Sequence, residues 1–121
     1  MKDIKKCIYL LEDNDDIREM LQFLLADDYD VFGYESIKSF SEVMKHGKPD
    51  MIILDVMLGD GNGFDVCNRL KQNSLTNHIP ILMMSANAQF FGTKEKCNAE
   101  DFINKPFDID DFVSRINKYI N

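Results

Sequence analysis

Five side chains in this sequence could together handle a phosphoryl group and a divalent cation, and each stands where a short apolar run ends. Glu12 and Asp13 follow Ile8-Tyr9-Leu10-Leu11, and Asp55 follows Met51-Ile52-Ile53-Leu54. Ser85 follows Ile81-Leu82-Met83-Met84, and Lys105 comes just after Phe102-Ile103-Asn104. A buried strand that carries a polar group to its carboxyl end, where the chain turns, delivers that group within reach of a ligand. Three carboxylates held close together repel by ~4 kcal/mol per pair at 4 Å and an effective dielectric near 20. A hard cation relieves that conflict, and Mg²⁺ takes one or two carboxylates, waters and phosphate oxygens. Asp55 can then act as a nucleophile that forms an acyl phosphate. Such a transfer needs positioning and charge neutralisation more than acid–base work. Lys105 supplies a point charge for phosphate oxygens, and Ser85 supplies a hydroxyl donor.

Each of these groups has a plainer reading when taken singly. Glu12 and Asp13, with Asp15 and Asp16 close behind, could merely cap a helix, and Lys105 could be a surface lysine. Ser85 could bond its own backbone. At the ends of four separate strands they describe one site.

The elements that must position these residues are legible as apolar runs alternating with amphipathic stretches. Strands are expected over Cys7–Leu11, Tyr29–Tyr34, Met51–Leu54, Ile79–Met84 and Phe102–Asn104. Asn14 or Asp15 caps a first helix with Ile17, Met20, Leu21, Leu24 and Leu25 inward. Ser36 caps a second, with Ile37, Phe40, Val43 and Met44 inward, and Gly47 and Pro49 stop it. After the glycine-rich loop Leu58–Gly63 a third helix aligns Phe64, Cys67 and Leu70. A short helix is expected over Asn87–Asn98, with Asn98 in the left-handed position at its end. Asp108 caps a last helix whose inner face holds Ile109, Phe112, Val113, Ile116 and Ile120. This is (βα) repeated five times, with strands apolar on both faces, so we expect an α/β doubly wound five-stranded parallel sheet in one domain, 1–121. Right-handed crossovers then bring every strand's carboxyl end to one edge.

Composition bounds the rest. The chain of 121 residues suits one core, and 14 Lys and Arg against 21 Asp and Glu leave a net charge of −7. That balance argues against direct nucleic-acid binding by this domain. The three cysteines form no C-x-x-C pair, and Cys7 and Cys67 read as core filling. No stretch approaches the roughly 20 apolar residues of a membrane span, and the start Met1–Lys6 lacks a secretory signal, so the expected location is cytoplasmic, away from the membrane.

With these residues in hand, the sequence resembles the receiver domain of two-component response regulators, in a chemotaxis-regulator-like form. The resemblance rests on Glu12-Asp13, Asp55, Ser85-Ala86, Lys105-Pro106-Phe107 and the loop Asp55–Phe64, in family order and spacing across essentially the whole chain. It implies a flavodoxin-like strand order 2-1-3-4-5 and a signalling domain that catalyses only its own phosphorylation and dephosphorylation. Asp55 would accept a phosphoryl group from a phosphohistidine on a sensor histidine kinase or histidine phosphotransfer protein. Glu12, Asp13, Asp55 and the Met57 backbone carbonyl would hold Mg²⁺, while Ser85 and Lys105 bind phosphoryl oxygens, with a cis Lys105-Pro106 peptide. Ser85 and Phe102 would form the switch that alters the face of the fourth helix, fifth strand and fifth helix for a downstream protein or an output domain. Met57 and Asn87 would tune phosphoryl lifetime.

Several positions depart from the family's commonest pattern. Gly59 replaces a usual proline, which implies a more mobile loop, and Phe102 replaces a usual tyrosine. Cys97-Asn98-Ala99 replaces a frequent Ala-Gly-Ala. Met57 is apolar and cannot orient water, so a slowly lost phosphoryl group is expected.

Competing readings are a degenerate receiver that only docks and a haloacid-dehalogenase-like phosphatase. The latter chemistry wants a second Asp where Met57 stands. A flavodoxin would meet repulsion between Glu12–Asp16 and a flavin phosphate, and a calcium loop at Asp60–Gly63 would need glycine where Asp65 stands. Phe90-Phe91 could add to a partner surface. The chain is expected to be either a stand-alone receiver or a piece of a longer regulator or hybrid kinase.

Overall fold

The computed structural model describes residues 4–86 and 97–120. Among the described residues, seven strands and four helices follow in the order β1 (Lys6–Leu11), α1 (Asp15–Leu25), β2 (Tyr29–Tyr34), α2 (Ile37–Met44), β3 (Met51–Asp55), β4 (Met57–Leu58), β5 (Gly61–Asn62), α3 (Gly63–Gln72), β6 (Ile81–Ser85), β7 (Asp101–Asn104) and α4 (Ile109–Ile120). Five strands pair in parallel in the order β2-β1-β3-β6-β7, which is the expected 2-1-3-4-5 once the two-residue strands β4 and β5 are set aside.

Alternate residues of the inner strands feed two cores. Ile8, Leu10, Met51, Ile53, Leu82 and Met84 pack with Leu21 and Leu25 of α1 and Phe112, Ile116 and Ile120 of α4. Leu11, Ile52, Leu54, Ile81 and Met83 face the other way, against Phe40 of α2 and Phe64 and Cys67 of α3. Strands covered on both faces have no solvent side, which is why Met51–Asp55 and Ile81–Ser85 are buried throughout. The helix starts follow the expected caps. The Asn14 side chain accepts from the Ile17 amide, Ser36 from Ser39, and Asp108 from Asp110.

Some expectations need correction. Met20 and Ile109, assigned inward, are 47% and 48% exposed, because the apolar stripe on each helix is wider than the core it meets. Cys7 is only half-buried. Pro80 and Ile79 lie just before β6 and not in it, although the Pro80 carbonyl accepts from the Ile52 amide. Among the described residues no non-glycine has positive φ, so Asn98 is not left-handed. The expected helix over 87–98 falls mostly outside the described residues, as do Asn87 and Phe90-Phe91. No helix among the described residues is long and apolar enough to cross a membrane.

Candidate metal and phosphoryl site

The parallel register carries the acids to one edge. Leu11 pairs with Leu54 and Asp55 with Met84, so the residues leaving β1, β3 and β6 emerge side by side. Glu12 follows β1, and its amide donates to the Tyr34 carbonyl of β2. Carboxylate oxygens of Glu12, Asp13 and Asp55 all lie within 4.8 Å of one another. Glu12 and Asp55 are buried, whereas Asp13 is exposed and forms the wet side of the cluster.

Lys105 answers two of these charges. Its Nζ lies 2.5 Å from Glu12 Oε1 and 2.6 Å from Asp55 Oδ2. The backbone fixes this lysine in turn, since the Lys105 amide donates to the Ser85 carbonyl at 2.8 Å and the Lys105-Pro106 peptide is cis. Ser85 itself is buried at the end of β6. The other Glu12 oxygen accepts from the Asn14 amide at 3.1 Å, and Asp55 Oδ1 accepts from the Met57 amide at 3.3 Å.

Electrostatics here are a contest between burial and pairing. Burial pushes the Glu12 carboxyl up to about 7, against the bonds from Lys105 and the Asn14 amide, and the Asp55 charge adds to the rise. Burial also works against the Lys105 charge, but its bonds to Asp55 and Glu12 outweigh it and the pKa rises. These directions oppose one another, because a neutral Glu12 would weaken the Lys105 charge. An ammonium seated between two carboxylate oxygens favours the charged lysine.

Three carboxylates against one ammonium leave excess negative charge in a hard-oxygen setting, which suits Mg²⁺. Glu12, Asp13 and Asp55 are the side chains that could hold it.

Several residues that shape the site escaped the sequence reading. Arg18 Nη1 donates to the Glu12 carbonyl at 2.9 Å, pinning the loop that carries the acids to α1. The loop after Asp55 is a small antiparallel hairpin that pairs Met57 with Asn62 and Leu58 with Gly61. Asp60 at its tip accepts from the Ile37 and Lys38 amides at 3.0 and 3.2 Å, so the loop caps α2. An Asp in a glycine-rich loop was the available signal, but its partner lies more than twenty residues away. Gly63 is required by space, because a Cβ there would stand 2.1 Å from the Asp55 carbonyl oxygen. Gly59 is not, since a Cβ would meet Asp13 Oδ2 at an ordinary 3.8 Å. The Met57 side chain is 65% exposed. Phe102 sits half-buried in β7 beside the α2–α3 core.

Comparison with known proteins agrees with this geometry. The response regulator receiver domain family model matches residues 8–117. The phosphate regulon transcriptional regulatory protein PhoB of Pseudomonas aeruginosa is 32% identical over 120 residues, covering 93% of this chain and 51% of its own length. Histidine kinase P4 of Formosa agariphila is 28% identical over 114 residues, covering 93% of this chain and 8% of the kinase. The chain thus spans about half of one relative and a small part of the other. The solved HemR receiver domain of Leptospira biflexa is 30% identical with a TM-score of 0.83, covering 97% of this chain and 95% of that one. With the family matched along nearly its whole length and the acidic pocket at the expected sheet edge, this chain belongs to the response regulator receiver domain family of two-component systems.

Proposed function

We propose that this chain is a working phosphoacceptor in which Asp55 takes a phosphoryl group from a phosphohistidine of a sensor histidine kinase or histidine phosphotransfer protein. The observation that carries the reading is Lys105 Nζ, 2.6 Å from Asp55 Oδ2, beside a cluster of three acids. An Asp55 oxygen forms the new P–O bond as the P–N bond breaks, and the released imidazole keeps the electron pair and takes up a proton. Lys105 then turns its ammonium to a phosphoryl oxygen, and the Ser85 hydroxyl donates to another. Glu12, Asp13, Asp55 and the Met57 carbonyl would hold Mg²⁺, which when bound supplies charge neutralisation for the carboxylates and the phosphoryl oxygens. The new charge is satisfied best by one conformer of Ser85 and Phe102, and that preference shifts the population toward a face read by a downstream protein or output domain. Met57 and Asn87 set how fast the phosphoryl group is lost.

Phosphate-affinity electrophoresis after incubation with acetyl phosphate and Mg²⁺ tests the reading. The wild-type band is expected to be retarded and the Asp55→Asn band unchanged. An unshifted wild-type band would instead make this a docking module.

A further inference from the structure

Cys67 and Cys97 take no part in the acidic site, yet they are brought together inside the core on the α3 side of the sheet. Cys67 lies on α3 one turn before Lys71, and Cys97 lies three residues before Glu100 on the way into β7. Lys71 Nζ bonds Glu100 Oε2 at 2.8 Å and the Ile79 carbonyl at 2.8 Å. Glu100 Oε1 accepts from the Ile81 amide at 2.8 Å, and the Glu100 amide donates to the Ile81 carbonyl. These bonds hold the approach to β7 against α3, and one turn earlier on the helix the buried Cys67 and Cys97 thiols pair with one another. Both cysteines are reduced and buried, at 0% and 4% exposure.

We propose that Cys67 and Cys97 form a reversible dithiol–disulfide site, oxidised by a hydroperoxide, whose bond links α3 to the segment leading into β7. Cys97 is the attacking sulfur. It lines a cavity of about 310 Å³ shared with Glu100 and Phe102, which gives a small peroxide a place to stand. The bond from Cys67 holds the Cys97 thiol down to about 7 despite its burial, with the Ala99 amide and the Lys71 charge helping. The Cys67 thiol is raised, first by that same bond and then by burial, so it remains the protonated partner. The Cys97 thiolate attacks the peroxide, the O–O bond breaks, and an alcohol or water leaves with a proton. Cys67 then attacks the resulting sulfenic sulfur, and the hydroxide released takes the Cys67 proton to form water. Two thiols and one hydroperoxide thus give one disulfide, one alcohol (or water) and one water. Cys7 stands apart on β1, where burial and the Asp50 and Asp30 charges raise its thiol, and is a poor competitor.

Peptide mass mapping tests this on the intact wild-type chain treated with hydrogen peroxide and then blocked with iodoacetamide. Trypsin, which does not cut Lys48-Pro49 or Lys105-Pro106, separates residues 46–69 from residues 97–115, with one of the paired cysteines in each. The expected product is these two peptides joined, lighter by two hydrogens than their sum and separated again by dithiothreitol, with Cys7 alkylated. Cys97→Ser should abolish the joined species. Unjoined peptides, whether unmodified or carrying oxygen on Cys97, or disulfide-linked dimers through Cys7, would overturn the proposal. None of these readouts depends on phosphorylation of Asp55.

Discussion

Lys105 reaches Asp55 across an intervening strand: Asp55 closes β3, Lys105 follows β7, and β6 runs between them, yet Nζ and Oδ2 are 2.6 Å apart. The same ammonium also holds Glu12, so one cation serves two buried carboxylates. Removing it leaves those charges without a partner, a loss of about 3 kcal/mol for a broken buried pair. We therefore expect Lys105→Ala to lower the unfolding free energy by about that much in urea melts without Mg²⁺. Added Mg²⁺ should stabilise the variant more than the wild type, because the metal replaces the missing charge. An equal Mg²⁺ effect on both proteins would contradict the shared role.

The chain turns back so tightly after Asp55 that Gly63 has no room for a side chain, whereas Gly59 has ordinary space. Gly63→Ala should cost about 3 kcal/mol, since the obstruction is backbone and cannot swing away. Gly59→Ala should change stability by less than about 1 kcal/mol. Urea midpoints of the two variants, compared with wild type, check the contrast.

Asp60 ties the acceptor loop to the start of α2, and bonds from the Ile37 and Lys38 amides hold its carboxyl below the usual carboxylate range, the Ile37 bond most strongly. A lowered folded-state pKa means a contribution that is present above the unfolded pKa and lost as pH falls through the folded one. Asp60→Asn should therefore be less stable than wild type at pH 7, and the gap should close as the pH drops below about 3.8. Denaturation midpoints of both proteins across the acid range measure this.

Met57 presents an apolar, largely exposed side chain beside the acceptor. It cannot orient a water for attack on an acyl phosphate, so Met57→Asn should lose its phosphoryl group several times faster than wild type. Decay of the phosphorylated band after removal of the donor gives both rates, and faster loss from the native protein would contradict the assignment.

Much of this molecule was readable in advance because its strands are covered on both faces. Met51–Leu54 and Ile81–Met84 are unbroken apolar runs for that reason, and Asp55, Ser85 and Lys105 mark where each run meets the sheet edge. Caps were equally plain at Asn14, Ser36 and Asp108, where a short polar side chain precedes an amphipathic stretch. What stayed hidden were contacts between distant residues. Arg18 on Glu12, Asp60 on Ile37 and the Cys67–Cys97 meeting leave no local pattern, because each depends on how α1, α2 and α3 dock. Periodicity also misled at Met20 and Ile109, which share an apolar recess with Pro106 and Phe107 at the surface and not the core.

Tandem mass spectrometry of the acetyl-phosphate-treated protein, run with Mg²⁺ and with the metal chelated, addresses the central claim most directly. A single phosphoryl group on Asp55, present with Mg²⁺ and absent after chelation or in Asp55→Asn, is the predicted result. A phosphoryl group on another residue, or none under either condition, would contradict it.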